Sequence, residues 1–422
     1  MKWANTARCG MLALALASTT GACRGRGAAA PDLSPMVDSL LPRLEVLSGL
    51  EAREPVRVAE QDRAAVRRYV EAQLDEELPP EELEGIRAAY AAFGLMPDTL
   101  DLRRLMLDLY TEQVVGYYDP DAETLYVVEG VPREEMWPVL VHELVHALQD
   151  QHVDLDSLIA RERGNDRQTA AQAAIEGHAT LVMFAWLMER RMGGAFDPRL
   201  LPDLAPQIEP LLEAQNEQFP VFRSAPRIIR QTLLFPYVNG ARFVQALWGE
   251  DAGVGGGGYV APLGDRLPQS TEQVLHPRDR FLGRRDAPTE VMLGPAPAGW
   301  RPLYSGTLGE LETSILLSEH LGRGADSLAV GWDGDRYVLL VSPAGERALV
   351  WVSVWDSPAA ADRFADAYRR VLAARAGRHG AVERLEVQGR PAVRVVDAPA
   401  AVAVEAVPDV GVVGVVEGAD GG

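Results

Sequence analysis

The chain has 422 residues, a net charge of −20 and an apolar fraction of 47%. That length holds two or three domains with cores of their own. The acidic balance argues against a nucleic-acid binder, whose phosphate contacts need a basic footprint, and against a protein held electrostatically on anionic lipid. Two cysteines exclude a disulfide scaffold and any all-cysteine metal site.

Residues 1–22 read as an export signal. Lys2 and Arg8 precede a short apolar run, CGMLALALAS, which is too short to span a bilayer. The run ends in TTGAC, which resembles a bacterial lipobox, with Thr20 where a branched aliphatic is usual. Cys9 leaves with the signal, so Cys23 has no disulfide partner, and an attached lipid explains a lone exported cysteine. The expectation is a cell-envelope protein, lipid-anchored at Cys23 outside the cytoplasm, with plain secretion as the alternative. Residues 23–35 read as a tether.

A helical N-terminal region spans 36–113. Its helices are expected over Ala59–Leu78, Glu81–Leu95 and Asp98–Gln113, the last capped by Asp98. At Val114 the period changes to β-branched and aromatic runs around DPDAE, which reads as a hairpin to Gly130 with its turn at Asp119–Glu123. The next helix is expected to become regular around Pro138. A long helix follows over Arg167–Met192, then a Pro-punctuated helical stretch to Glu250 and a glycine-rich surface loop, Ala252–Tyr259. From Trp300 to about Val416 strands alternate with one amphipathic helix, Pro358–Arg375, as an α+β module; WDGD at Trp332–Asp335 reads as a tight turn between strands.

The chemistry lies in VLVHELVHALQDQH, Val139–His152. His142 and His146 are four residues apart, so on a helix both imidazoles share one face and can reach one zinc ion. Glu143 is rotated by about 100° and stands beside the metal, placed as a general base for water. Two histidines and a glutamate in an otherwise apolar helix are costly unless paired or metal-bound. A catalytic zinc needs a third protein ligand. Glu176, in AAIEGHAT on the next long helix, is the leading candidate. Its small neighbours Ala173, Ala174 and Gly177 would let that helix approach the His142 helix closely. His152 is the rival, at the spacing of a third histidine in a longer motif whose glycine is here Gln149. His178 and Asp150 are further options, and His178 also suits an outer contact.

HELVHALQDQH followed by EGHAT resembles the gluzincin type of zinc metallopeptidases, and more narrowly bacterial and archaeal HExxH proteins with HALQDQ and EGxAT segments. GYYDPDAETLYVV and PQSTEQVLHP, Pro268–Pro277, are similar to that group too, so the resemblance covers about 114–277. It implies a zincin-like catalytic core, zinc on His142, His146 and Glu176, and Glu143 as base. It also implies that an edge strand, here Leu125–Val128, binds an extended peptide by β-pairing.

The fold class expected is α+β: a mainly helical zincin-like core, 114–277, with a C-terminal α+β module, 300–416. The function expected is zinc-dependent peptide-bond hydrolysis on a protein or peptide substrate. The alternatives are a non-catalytic envelope lipoprotein with a structural or vacant metal site, and an amidase acting on cell-wall peptides. For the oxyanion, His276 in its polar loop is preferred over Tyr237 and Tyr117.

Overall fold

A computed structural model describes residues 11–14, 33–159, 164–201, 219–253, 259–400, 402 and 412–417. Cys23, most of the expected signal and tether, and the glycine-rich 254–258 lie outside the described residues. The fold is mixed α+β, with a C-terminal sheet module.

The first sheet has the order β1 (Met11–Leu14), β3 (Val114–Asp119), β4 (Thr124–Val128), β2 (Arg57–Gln61). β3 and β4 form the expected hairpin, and β1 pairs antiparallel on the outer side of β3. β2 corrects two expectations. The helix expected from Ala59 starts only at Arg63, because Asp62 caps it by accepting the Ala65 N–H at 2.6 Å. The residues before that cap are extended and pair in parallel with β4, from Arg57 opposite Thr124 to Gln61 opposite Val128. Leu125–Val128 is therefore an interior strand and has no free edge.

The helices of this half are α1 (Ser34–Ser48), α2 (Arg63–Glu77), α3 (Pro80–Phe93), α4 (Leu102–Gln113), α5 (Arg133–Asp150), α6 (Leu155–Leu158), α7 (Asn165–Met192), α8 (Pro220–Ser224), α9 (Arg227–Gly253) and α10 (Thr271–Leu275). The cap of α4 is Asp101 and not Asp98. Asp98 is engaged by Arg87 and Arg347, both at 2.7 Å, while Asp101 accepts the Arg104 N–H. α5 also starts earlier than expected. Glu134 and Glu135 favour its first turn, and Pro138, its sixth residue, forfeits one backbone bond where the buried stretch of the helix begins.

The C-terminal module is an antiparallel sheet of order β6 (Arg301–Gly306), β7 (Trp332–Val341), β8 (Arg347–Trp355), β10 (Arg390–Pro399), β9 (Arg378–Val387). Alternate residues face opposite ways. Tyr337, Leu339, Leu349 and Trp351 join the main core with α11 (Gly309–Leu321) and α12 (Pro358–Ala374). Val352 and Val354 face a ribbon of β5 (Thr289–Leu293) and β11 (Val412–Glu417) through Val291. WDGD is not a turn. It opens β7 across a bulge, and Asp335 accepts N–H groups of Leu308, Gly309, Trp332 and Trp351, which fixes the start of α11.

Candidate metal centre

α5 lies under the hairpin and against α7, so its polar residues meet those of α7 inside the core. His142, Glu143, His146 and Glu176 are each no more than 2% exposed. His142 Nε2 stands 3.1 Å from Glu176 Oε2, His146 Nε2 stands 3.4 Å from the same oxygen, and the two nitrogens are 3.0 Å apart. These three residues can hold a metal ion. The spacing tests the fit. Three donors at about 2.0–2.1 Å from a tetrahedral zinc stand about 3.3 Å from one another, close to the triangle observed.

Electrostatics agrees with that use. Burial pushes the Glu176 carboxyl up, but the His146 charge and bonds from both imidazoles outweigh it and hold the group at about 2. Burial keeps His142 low, whereas at His146 burial is outweighed by Glu176, which raises it. A carboxylate and two imidazoles thus converge, and the Glu176 charge holds a proton on His146 that a metal ion would displace.

Glu143 stands outside this triangle. Its Oε2 accepts the backbone N–H of Tyr118 on β3 at 2.8 Å. The Tyr118 hydroxyl reaches on to Asp150 Oδ2 at 3.0 Å. Burial raises Asp150 to about 6, and the Tyr118 bond opposes that rise.

Two of the small residues beside Glu176 also admit α9: a Cβ on Gly177 would lie 2.0 Å from the Gly240 carbonyl carbon, and one on Gly240 would lie 2.0 Å from the Ala173 oxygen. This close crossing brings α9 in so that the Tyr237 ring lies over His142, with centroids 6.1 Å apart.

The rival ligands are elsewhere. His152 is turned outward, where Nε2 bonds the Glu51 carbonyl at 2.8 Å; α5 continues as helix to Asp150, and that carries His152 off the metal face. His178 is fully buried and faces Gln149 and Ser48. His276 is not in a solvent loop. It ends the short buried helix α10 and pairs with Glu310 at 2.8 Å, so its ring is tied to α11 and not to the metal group. Tyr117 bonds Gln61 and stacks on Tyr69 and Tyr126.

Gln149 adjoins the centre, and spacing alone could have shown it. It is three residues after His146, hence on the same helix face, and its Oε1 lies 2.8 Å from His146 Nδ1. Tyr118 N–H had no signal in the sequence, because every backbone offers one. A second acidic group, Glu272, Asp286 and Asp356, already surrounds the guanidinium of Arg280.

Residues 301–420 match a family described as a domain of unknown function, DUF8575. No curated protein matches the chain. A crystal structure from Chloroflexus aurantiacus, described as "a putative hydrolase with a novel fold", is similar over 58% of this chain and 86% of its own, at 19% identity and a TM-score of 0.30.

Proposed function

We propose that the protein is a zinc metallopeptidase of the gluzincin type, exported and anchored by a lipid at Cys23, that hydrolyses peptide bonds of a protein or peptide substrate. The observation that carries the reading is the triangle of His142, His146 and Glu176 with Glu143 one residue along α5 and outside it. A structural metal site has no use for a base so placed.

Zinc bound there would supply a Lewis acid that polarises a scissile carbonyl and acidifies water, with three protein donors leaving one position open. Everything else falls to the chain. Glu143 is held at Oε2 by the Tyr118 amide, so it takes the water proton at Oε1 and delivers it to the leaving amine. Tyr237, beside His142, is the donor for the developing oxyanion. The edge of β3, along which Met11–Leu14 lie antiparallel, is the edge on which an extended substrate pairs once the export signal is removed. Among the described residues no helix is long and apolar enough to cross a membrane; in this reading the lipid at Cys23 provides attachment.

The test is casein hydrolysis by the zinc-loaded protein, with peptidoglycan in parallel. Turnover of casein that a chelator abolishes and zinc restores is expected. Turnover of peptidoglycan alone would move the substrate to cell-wall peptides, and turnover of neither would favour a binding lipoprotein.

A further inference from the structure

A chain of hydrogen bonds leads from the metal triangle out to the first helix of the protein. His146 Nδ1 meets Gln149 Oε1 at 2.8 Å. Gln149 Nε2 meets His178 Nδ1 at 3.0 Å and the Ile175 carbonyl at 3.1 Å. His178 Nε2 meets the Ser48 carbonyl at 3.0 Å. Gln149, His178, His146 and Ser48 are all fully buried, so water does not substitute for any link.

The proton positions follow from the ends of this chain. A carbonyl can only accept. The Ser48 oxygen therefore requires the proton on Nε2 of His178, which leaves Nδ1 as a lone pair. The Ile175 oxygen and that lone pair together require both amide hydrogens of Gln149, which fixes its orientation with Oε1 toward His146. Oε1 in turn requires the proton on Nδ1 of His146. With Nδ1 carrying that proton, Nε2 of His146, aimed at Glu176 and His142, is the nitrogen left to bind a metal.

Ser48 is the last residue of α1, where carbonyls have no partner within the helix. The following Gly49 has φ +71°, and the Tyr259 oxygen lies 1.9 Å from where its Cβ would be, so the end of α1 is held in place by close backbone contact.

We infer that Gln149 and His178 are positioning residues that carry the proton pattern of His146 from the C-terminal carbonyl of α1, so that docking of α1 sets the affinity of the metal centre. The inference rests on the metal-site reading above. It makes the N-terminal helical region a contributor to the site.

The experiment uses the full chain from Pro31 onward and two readouts. One is the zinc dissociation constant, from competition with a chromophoric chelator, for the wild type, Gln149→Leu, His178→Phe and His178→Asn. The other is the imidazole nitrogen NMR of His146 in the metal-free wild type and variants. Gln149→Leu and His178→Phe are expected to weaken zinc about 10–100-fold. His178→Asn presents an amide oxygen near the Nδ1 position and is expected to restore most of the loss, which a packing role would not do. The metal-free wild type is expected to show His146 protonated at Nδ1, and His178→Phe a mixture of tautomers. Folded variants that all bind zinc within twofold of the wild type, or a wild-type His146 without a proton on Nδ1, would overturn the inference. A wild type that binds no zinc yet keeps the Nδ1 proton would defeat the metal-site reading while leaving the relay standing.

Discussion

The carboxylate of Glu143 accepts the amide of Tyr118 at 2.8 Å, which ties the proposed base on α5 to β3, the strand along which Met11–Leu14 lie. One oxygen is thereby committed and the side chain is held in one orientation. Glu143→Gln keeps this acceptor and loses the base. It is expected to bind metal as the wild type does and to lower kcat by about 10²–10⁴-fold, the usual weight of general base catalysis. Full turnover in that variant would remove Glu143 from the mechanism.

Tyr237 lies over His142 because α9 crosses α7 at Gly177 and Gly240. Tyr237→Phe keeps the ring and drops the hydroxyl. A fall in kcat of about 10²–10³-fold with KM little changed is expected of a lost oxyanion donor. Equal losses in stability and no change in kcat would make the tyrosine a packing residue.

The crossing itself can be measured. Gly177→Ala places a methyl where the Gly240 backbone stands, and neither helix backbone can step aside cheaply. Overpacking of this kind costs about 1–3 kcal/mol. Denaturant unfolding should show a lowered midpoint with m little changed; an unaltered midpoint would mean that the helices have room to part.

A pH effect is expected far from the metal. Glu312 on α11 accepts the Tyr90 hydroxyl at 2.6 Å, and burial raises its carboxyl to about 8. The folded chain holds that proton up to about 8, while the unfolded chain releases it near 4.5, as an ordinary glutamate does. Stability from this group is therefore full below about 4.5 and lost as pH rises toward 8. Glu312→Gln should raise Tm at pH 8.5 and change it little at pH 4.5. A Tm difference of the same size at both values would contradict the assignment.

Much of the centre was legible in the sequence because helix geometry is local. His142, Glu143 and His146 have fixed mutual positions once they share a helix, and Glu176 stood out as a charge among alanines and a glycine. The hairpin at Asp119–Glu123 was legible for the same reason. What escaped was set by distant partners. β2 is extended because β4 needs a neighbour, and nothing within RVAEQ announces that. His276 looked like a loop residue until Glu310, 34 positions on, was placed beside it. The sequence holds no sign that Gly177 and Ala173 also admit α9. Gln149 was overlooked through comparison with a glycine at that position, although its spacing from His146 already placed it alongside.

The most direct test of the central claim is metal content by plasma mass spectrometry on the chain from Pro31 to Gly422, for the wild type, Glu176→Ala and His152→Ala. The account predicts about one zinc per chain in the wild type and in His152→Ala, and little in Glu176→Ala. Zinc retained by Glu176→Ala, or a wild type that takes up none after reconstitution, would contradict it.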